Sequence, residues 1–174
     1  MTTEERKVLL ELARNAVKEH LGLPFKEPEI KGLEEKRGAF VTLNEGKDLR
    51  GCIGYIIGIK PLYKQIPMLA VEAAFADPRF PPVRKEEYSL LSFEISILSV
   101  PRTIAELDEF VLHRDGIILT VGSYRAVFLP QVADETGWSK QEMLDALSRK
   151  AGLPADAWKS RNAIFQTFTA EVFS

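Results

Sequence analysis

Apolar residues recur every three or four positions in several segments of the chain, and this spacing is typical of amphipathic helices. The first such segment begins at a capping box, Thr2 with Glu5, and stops at Gly22, since glycine commonly ends a helix. A second capping box and an alanine-rich run mark two further segments of this kind. We predict helices at residues 3–21, 68–76 and 139–151, and one short helix at residues 104–110.

Alternation of apolar and polar residues marks other segments as β-strands. Gly122-Ser123 separates two of them as a two-residue hairpin turn, and the turn-forming run 44–48 separates another two. Because hairpins outnumber strand-helix-strand crossovers, we predict the α+β class, with a largely antiparallel sheet and packed helices. The predicted strands cover residues 38–43, 49–57, 93–98, 116–121, 124–129 and 163–173.

A proline-rich segment, Asp77 to Pro82, lies between a predicted helix and a predicted strand. Its three prolines fix φ and remove hydrogen-bond donors, so we predict a stiff extended loop. Such loops often wall a site built on a sheet, and we expect Arg79 and Phe80 to border one. Pairing of Asp77 with Arg79 to brace the loop is the simpler interpretation of these two charges.

Length and composition place the chain among ordinary globular proteins. Its 174 residues suit a single domain over residues 1–174, or two closely packed lobes in one compact unit. The 23 basic and 25 acidic residues are interspersed, so no basic stripe favours nucleic acid as a partner. The start of the chain is polar and no apolar run approaches the ~20 residues of a membrane span, which predicts a cytoplasmic protein.

Cys52 is the only cysteine, which excludes an intramolecular disulfide and fits a reducing compartment. His20 and His113 are the only histidines, and no ligand pair has a metal-binding spacing, so we predict no metal site and no cofactor. A lone cysteine in an apolar strand is usually a small buried hydrophobe. Cys52 alone therefore does not indicate a functional site, and a further feature of the sequence around it is needed.

That feature is the segment from Leu49 to Gly54, Leu-Arg-Gly-Cys-Ile-Gly. On a regular strand Arg50 and Cys52 share one face, near enough for the guanidinium to favour a thiolate. Gly51 and Gly54 flank the cysteine, and strand glycines often mark a bend or the close approach of a ligand. We expect a cleft in which Cys52 is partly exposed, and we expect Gly51→Val to harm function more than folding.

The hexapeptide resembles the signature of the AMMECR domain family. Further blocks resemble that family in the same order and extend the likeness over essentially the whole chain: Asp77–Pro82, Glu94–Ser96, Asp115–Ile117, Phe128–Val132, and Lys150–Pro154 followed by Trp158. The resemblance implies an α+β fold of two unequal lobes and a cytosolic protein of the AmmeMemoRadiSam system. It also implies association with a Memo-like protein and a radical S-adenosylmethionine enzyme. The iron–sulfur cluster would belong to that enzyme, because one cysteine cannot supply the roughly four thiolates a cluster needs.

Two functions remain open for the site. In the first, Cys52 is the nucleophile of covalent catalysis or carriage, Arg50 lowers its pKa or holds an anionic substrate, and His113 is the candidate base. In the second, the chain is a non-catalytic binding module for a protein or a small ligand. The candidate ligand-binding residues are Arg50, Gly51, Gly54, Asp77, Arg79, Phe80, Glu94 and Gln131.

Overall fold

A computed structural model describes all 174 residues and divides the chain into two compact units. Unit 1 comprises residues 1–98 and 171–174, and unit 2 comprises residues 99–170. The helices are α1 (Thr3–His20), α2 (Leu62–Phe75), α3 (Val132–Thr136) and α4 (Lys140–Lys150). The strands are β1 (Ala39–Glu45), β2 (Asp48–Tyr55), β3 (Leu91–Leu98), β4 (Arg102–Ile104), β5 (Asp115–Val121), β6 (Tyr124–Phe128) and β7 (Ala163–Phe173). Three short 3₁₀ helices lie at Lys85–Leu90, Leu107–Glu109 and Ala157–Lys159.

Unit 1 is built on an antiparallel sheet in the order β2-β1-β3, with β2 at its edge. Side chains alternate along each strand, and one face of the sheet carries the apolar set that packs against α1 and α2. The fully or almost fully buried core of this unit includes Val41, Leu43, Phe93 and Ile95 from the sheet and Leu9, Val17, Ile66 and Leu69 from the helices. The antiparallel pairing and the packed helices confirm the predicted α+β class.

The helices of unit 1 satisfy their first N–H groups in different ways. Thr2 Oγ1 accepts from the Glu5 N–H at 3.1 Å, and the Glu5 carboxylate accepts from the Thr2 N–H at 2.7 Å, which is the predicted capping box. Helix α2 has no side-chain cap, and the Glu35 carbonyl accepts from the Leu62 N–H at 3.0 Å instead. None of the four α-helices combines the length and the apolar composition that crossing a bilayer requires.

Unit 2 contains antiparallel pairs of β7 with β4, of β7 with β5, and of β5 with β6. Its core is formed by buried side chains that include Phe110, Ile117, Leu119 and Leu147. Gly122 opens the β5–β6 turn at φ +60°, in the region that glycine favours, so the predicted glycine-first turn is confirmed. Ser139 caps α4 by accepting from the Glu142 N–H at 3.2 Å.

Two local predictions were wrong, and one helix was missed. Residues 104–110 do not form one helix, because Ile104 ends β4, whose pairing with β7 outweighs local preference. Helix α2 begins at Leu62, before Pro67, since the burial of Ile66 and Leu69 offsets the one backbone hydrogen bond that a proline removes. Helix α3 was not predicted at all.

Candidate functional site

A row of three side chains crosses the face of the unit 1 sheet that is turned away from α1 and α2. In the strand registers, Thr42 on β1 lies opposite Cys52 on β2 and opposite Glu94 on β3. Residues directly opposite each other on neighbouring strands present their side chains on the same face. Cys52, Thr42 and Glu94 therefore lie side by side, all half-buried, and we term them the Cys52 row.

Cys52 and Thr42 form a close cross-strand pair. The backbone N–H and C=O of Cys52 point away from β1 and are bonded by Asp77 and Arg79. Cys52 and Thr42 therefore form a non-hydrogen-bonded pair, in which the two residues exchange no backbone hydrogen bonds. Opposite side chains approach more closely in pairs of this class. Thr42 Oγ1 accordingly donates a hydrogen bond to Cys52 Sγ at 3.2 Å.

The loop from Asp77 to Phe80 closes the outer edge of β2 at Cys52. Asp77 Oδ2 accepts from the Cys52 N–H at 3.0 Å, and Arg79 Nη2 donates to the Cys52 carbonyl at 3.3 Å. Asp77 Oδ1 also accepts from the N–H and the Nε of Arg79, both at 3.1 Å. These side chains satisfy edge groups that a neighbouring strand would otherwise take.

The same contacts test what the sequence predicts of this loop. The Phe80 N–H donates to the Asp77 carbonyl at 3.2 Å, so the segment contains a turn and is not extended throughout. Asp77 and Arg79 brace the loop by pairing, as the simpler interpretation holds. Arg79 also lies within hydrogen-bonding reach of Cys52, which agrees with the expectation that the loop borders the hexapeptide.

The thiol of Cys52 is held in its protonated form. Burial raises the pKa of Cys52, and the negative charges of Asp77 and Glu94 act in the same direction. The hydrogen bond from Thr42 and the positive charge of Arg79 lower this pKa without cancelling the effect of burial. At neutral pH the site therefore presents a thiol and not a thiolate.

The carboxylate of Asp77 is ionised under all ordinary conditions. The hydrogen bonds from the Arg79 side chain, and with them those from the backbone N–H groups of Cys52 and Arg79, hold the pKa of Asp77 far below its usual range despite its burial.

Arg79, the partner of Asp77, is exposed over 56% of its side chain, and its Nη1 makes no hydrogen bond within the protein. Glu94, in the Cys52 row, likewise has no side-chain hydrogen bond and no ion pair. The site thus leaves the Glu94 carboxylate unpaired and Arg79 Nη1 without an acceptor.

Arg50 is committed elsewhere, and the expectation that it serves the thiol is wrong. The β1–β2 register shifts beside it, and such a bulge re-aims the side chain, so simple alternation does not hold. Its Nε and Nη2 donate to the Glu87 carboxylate at 3.2 and 3.4 Å, and its Nη1 is buried without a partner. The cation that acts on the pKa of Cys52 is Arg79.

Both glycines of the hexapeptide are required by packing. A Cβ atom at Gly51 would lie 2.1 Å from the carbonyl oxygen of Ala73 in α2. The expectation that valine is tolerated at this position is therefore wrong, because the glycine allows the helix to approach the sheet. A Cβ atom at Gly54 would lie 2.3 Å from the ring of Phe40, its opposite residue on β1.

The remaining candidates lie at other places. The Phe80 ring is half-buried, with the Arg79 guanidinium 5.4 Å from its centroid. Gln131 precedes α3 in unit 2, where its carbonyl accepts from the Glu135 N–H at 3.0 Å. His113 also belongs to unit 2, and its Nδ1 is 2.6 Å from an Asp134 carboxylate oxygen. The Cys52 row itself contains no histidine.

The cleft that the sequence predicts around the hexapeptide does not coincide with any of five cavities found elsewhere on the protein. Five cavities have volumes of about 420 to 700 Å³, and Cys52 lines none of these five. Cys52, Thr42 and Glu94 are half-buried polar side chains that lie outside these five cavities.

Sequence reasoning missed two residues that shape the site. Thr42 donates to the thiol, and the alternation along β1 together with the hairpin register was the signal that could have identified it. Glu87 binds Arg50 across 37 positions of sequence, and no local pattern announces such a contact. Cross-strand and long-range partners therefore have to be read from the structure.

Fold and site together define an α+β protein with antiparallel sheets, whose polar row contains a protonated thiol beside a braced Asp–Arg loop. The chain matches the AMMECR1 family over residues 10–173 and belongs to that family.

Relatives of similar length occur among archaea. The chain is 41% identical to a protein of Thermococcus gammatolerans, over 95% of this chain and 87% of that protein, and 41% identical to one of Methanopyrus kandleri, over 99% and 89%. The crystal structure of an uncharacterised protein from Pyrococcus horikoshii superposes with a TM-score of 0.86 at 38% identity, covering 99% of this chain and 92% of that one. This likeness agrees with the α+β assignment.

Proposed function

We propose that this protein is a non-catalytic binding module and that the Cys52 row, together with Arg79, forms its contact surface for a protein partner. The observation that carries the proposal is an unpaired carboxylate, that of Glu94, and an unused guanidinium donor, Arg79 Nη1, beside a thiol that burial keeps protonated. Complementary charges on a partner give such a surface its specificity. The partner supplies a cation opposite Glu94 and an acceptor opposite Arg79.

Covalent catalysis or carriage by Cys52 is the second candidate. The hydrogen bond from Thr42 and the charge of Arg79 favour it, because both stabilise a thiolate. Burial has the larger effect and raises the pKa of Cys52, so the nucleophilic form is scarce at neutral pH. The cation expected to activate the thiol, Arg50, is bound to Glu87. The balance of these effects favours binding without a covalent step.

A Memo-like protein of an AmmeMemoRadiSam system is the partner that we propose. Two observations support this choice. The signature hexapeptide and the Asp77–Pro82 segment contact each other through Cys52, so two separate family blocks build one surface. Cys52 also lines none of five cavities of about 420 to 700 Å³, the size usual for sites that enclose a small molecule.

Isothermal titration with the purified Memo-like protein from the same genome tests the proposal. We expect Glu94→Gln to weaken binding at least about tenfold, or ~1.4 kcal/mol, because it removes a charge at the contact. Cys52→Ser keeps a small polar group there and should bind within about threefold of the unmodified protein. Glu86→Gln, which removes an exposed and unpaired carboxylate of the same unit, is the matched control. Loss of binding in Cys52→Ser alone would favour the covalent candidate.

A further inference from the structure

Four cationic side chains of unit 1 line one cavity of about 610 Å³, which we term the α1 cation cavity. Lys7, Arg14 and Lys18 lie on α1 at spacings of seven and four residues, which places them on one stripe of the helix. Lys26 follows the helix and reaches the same cavity. None of the four forms an ion pair within the protein, although the whole chain carries a net charge of −2.

Several contacts restrain three of these four residues, Arg14, Lys18 and Lys26. The buried Asn15 donates from Nδ2 to the Lys26 carbonyl at 2.7 Å and so fixes the returning segment against α1. The Arg14 guanidinium lies 6.0 Å from the centroid of the Phe93 ring, and Lys18 Nζ lies 5.7 Å from that of Tyr88. Cation–π contacts of this kind restrict long side chains, and such restriction lowers the entropic cost of binding an anion. Arg14, Lys18 and the Lys26 backbone are thus restrained before any ligand binds.

We propose that the α1 cation cavity binds a soluble small molecule that carries two or more phosphate groups. Lysine and arginine form their strongest hydrogen bonds with such oxyanions, and four unpaired cations match a dense, multiply charged anion. The volume falls within the roughly 300–1,000 Å³ usual for small-molecule sites. Glu11 also lines the cavity, and its negative charge disfavours weakly charged anions that cannot engage several cations at once.

Titration with sodium tripolyphosphate at about 50 mM salt, where screening is weak, tests this site directly. Lys7→Gln should weaken binding about two- to fivefold, the usual range for one partly exposed charge, and Glu11→Gln should strengthen it. Lys47→Gln removes an exposed lysine without an ion pair in the β1–β2 turn and should leave binding unchanged. Lys7 is chosen because it is exposed and makes no cation–π contact, so its replacement leaves the fold intact.

Three results would overturn the proposal. They are absence of tripolyphosphate binding by the unmodified protein, equal effects of Lys7→Gln and Lys47→Gln, and weaker binding by Glu11→Gln. A parallel experiment with lipid vesicles distinguishes a soluble ligand from a lipid headgroup as the source of the phosphate groups. Sedimentation with phosphatidylcholine vesicles containing phosphatidylinositol phosphate should leave the protein in the supernatant, and co-sedimentation without tripolyphosphate binding would assign the cavity to a membrane headgroup instead.

Discussion

Cys52 owes its chemistry to residues that are distant in sequence. Thr42 donates to its sulfur, Asp77 and Arg79 hold its backbone, and Glu94 adds a negative charge nearby. Taken alone, a cysteine between two glycines indicates an accessible nucleophile. With these neighbours in place, burial dominates and raises the pKa of Cys52, so little thiolate is present at neutral pH.

Replacing Thr42 tests this balance at the level of one hydrogen bond. Thr42→Val removes the donor that stabilises the thiolate, so the pKa of Cys52 should rise further. At a pH below the pKa of Cys52, iodoacetamide should alkylate the Thr42→Val variant roughly two- to tenfold more slowly than the unmodified protein. This corresponds to the ~0.5–1.5 kcal/mol of one hydrogen bond. Thr42→Ser retains the hydroxyl and should react like the unmodified protein. Equal rates in the valine and serine variants would show that the hydroxyl does not contact the sulfur.

Asp77 makes the free energy of unfolding depend on acid pH. Its pKa is lowered in the folded state, chiefly by the Arg79 side chain, so its full contribution is present above the unfolded pKa of about 4 and is lost progressively as pH falls from there towards the much lower folded-state pKa. Asp77→Asn should therefore be less stable by ~1–3 kcal/mol at pH 7, and the difference should shrink towards pH 3. Urea unfolding at both pH values measures it. A difference that stays constant between pH 7 and pH 3 would contradict this role.

At the scale of elements, the close approach of α2 to the sheet determines what the hexapeptide tolerates. Gly51→Val places a side chain against the Ala73 carbonyl and should cost at least as much as Leu147→Ala, a substitution in the core of unit 2 worth about 2–5 kcal/mol. Thermal unfolding of the two variants gives the comparison. A Gly51→Val protein as stable as the unmodified one would show that α2 shifts away at little cost.

The sequence predicts elements well where the signal is local. Capping at Thr2 and Ser139, the turn at Gly122 and the final strand β7 all follow from neighbouring residues, and all are present. Prediction failed where pairing partners decide the outcome. Strand β4 forms because β7 lies beside it, and Arg50 leaves the expected face because of a bulge and because Glu87 binds it.

At the scale of the whole molecule, we propose two binding surfaces on unit 1 that differ in their chemistry. The Cys52 row with Arg79 carries an unpaired carboxylate and one unused guanidinium donor, Arg79 Nη1, whereas the α1 cation cavity is predominantly basic. The two surfaces should respond to different ligands, because one needs charges of both signs and the other needs a dense anion. Cys52 and the Asp77–Arg79 loop, which build the first surface, both lie within the residues that match the AMMECR1 family.

Protection of Cys52 by the Memo-like partner tests the binding role most directly. The protein is alkylated with iodoacetamide at pH 9, where the thiol reacts measurably, with and without saturating partner, and intact mass is recorded throughout. We predict that the partner slows alkylation at least about tenfold, because it covers the Cys52 row, and that the protein recovered from the complex has its unmodified mass. Unchanged alkylation in the complex, or a covalent adduct on Cys52, would contradict a non-covalent contact surface at this site.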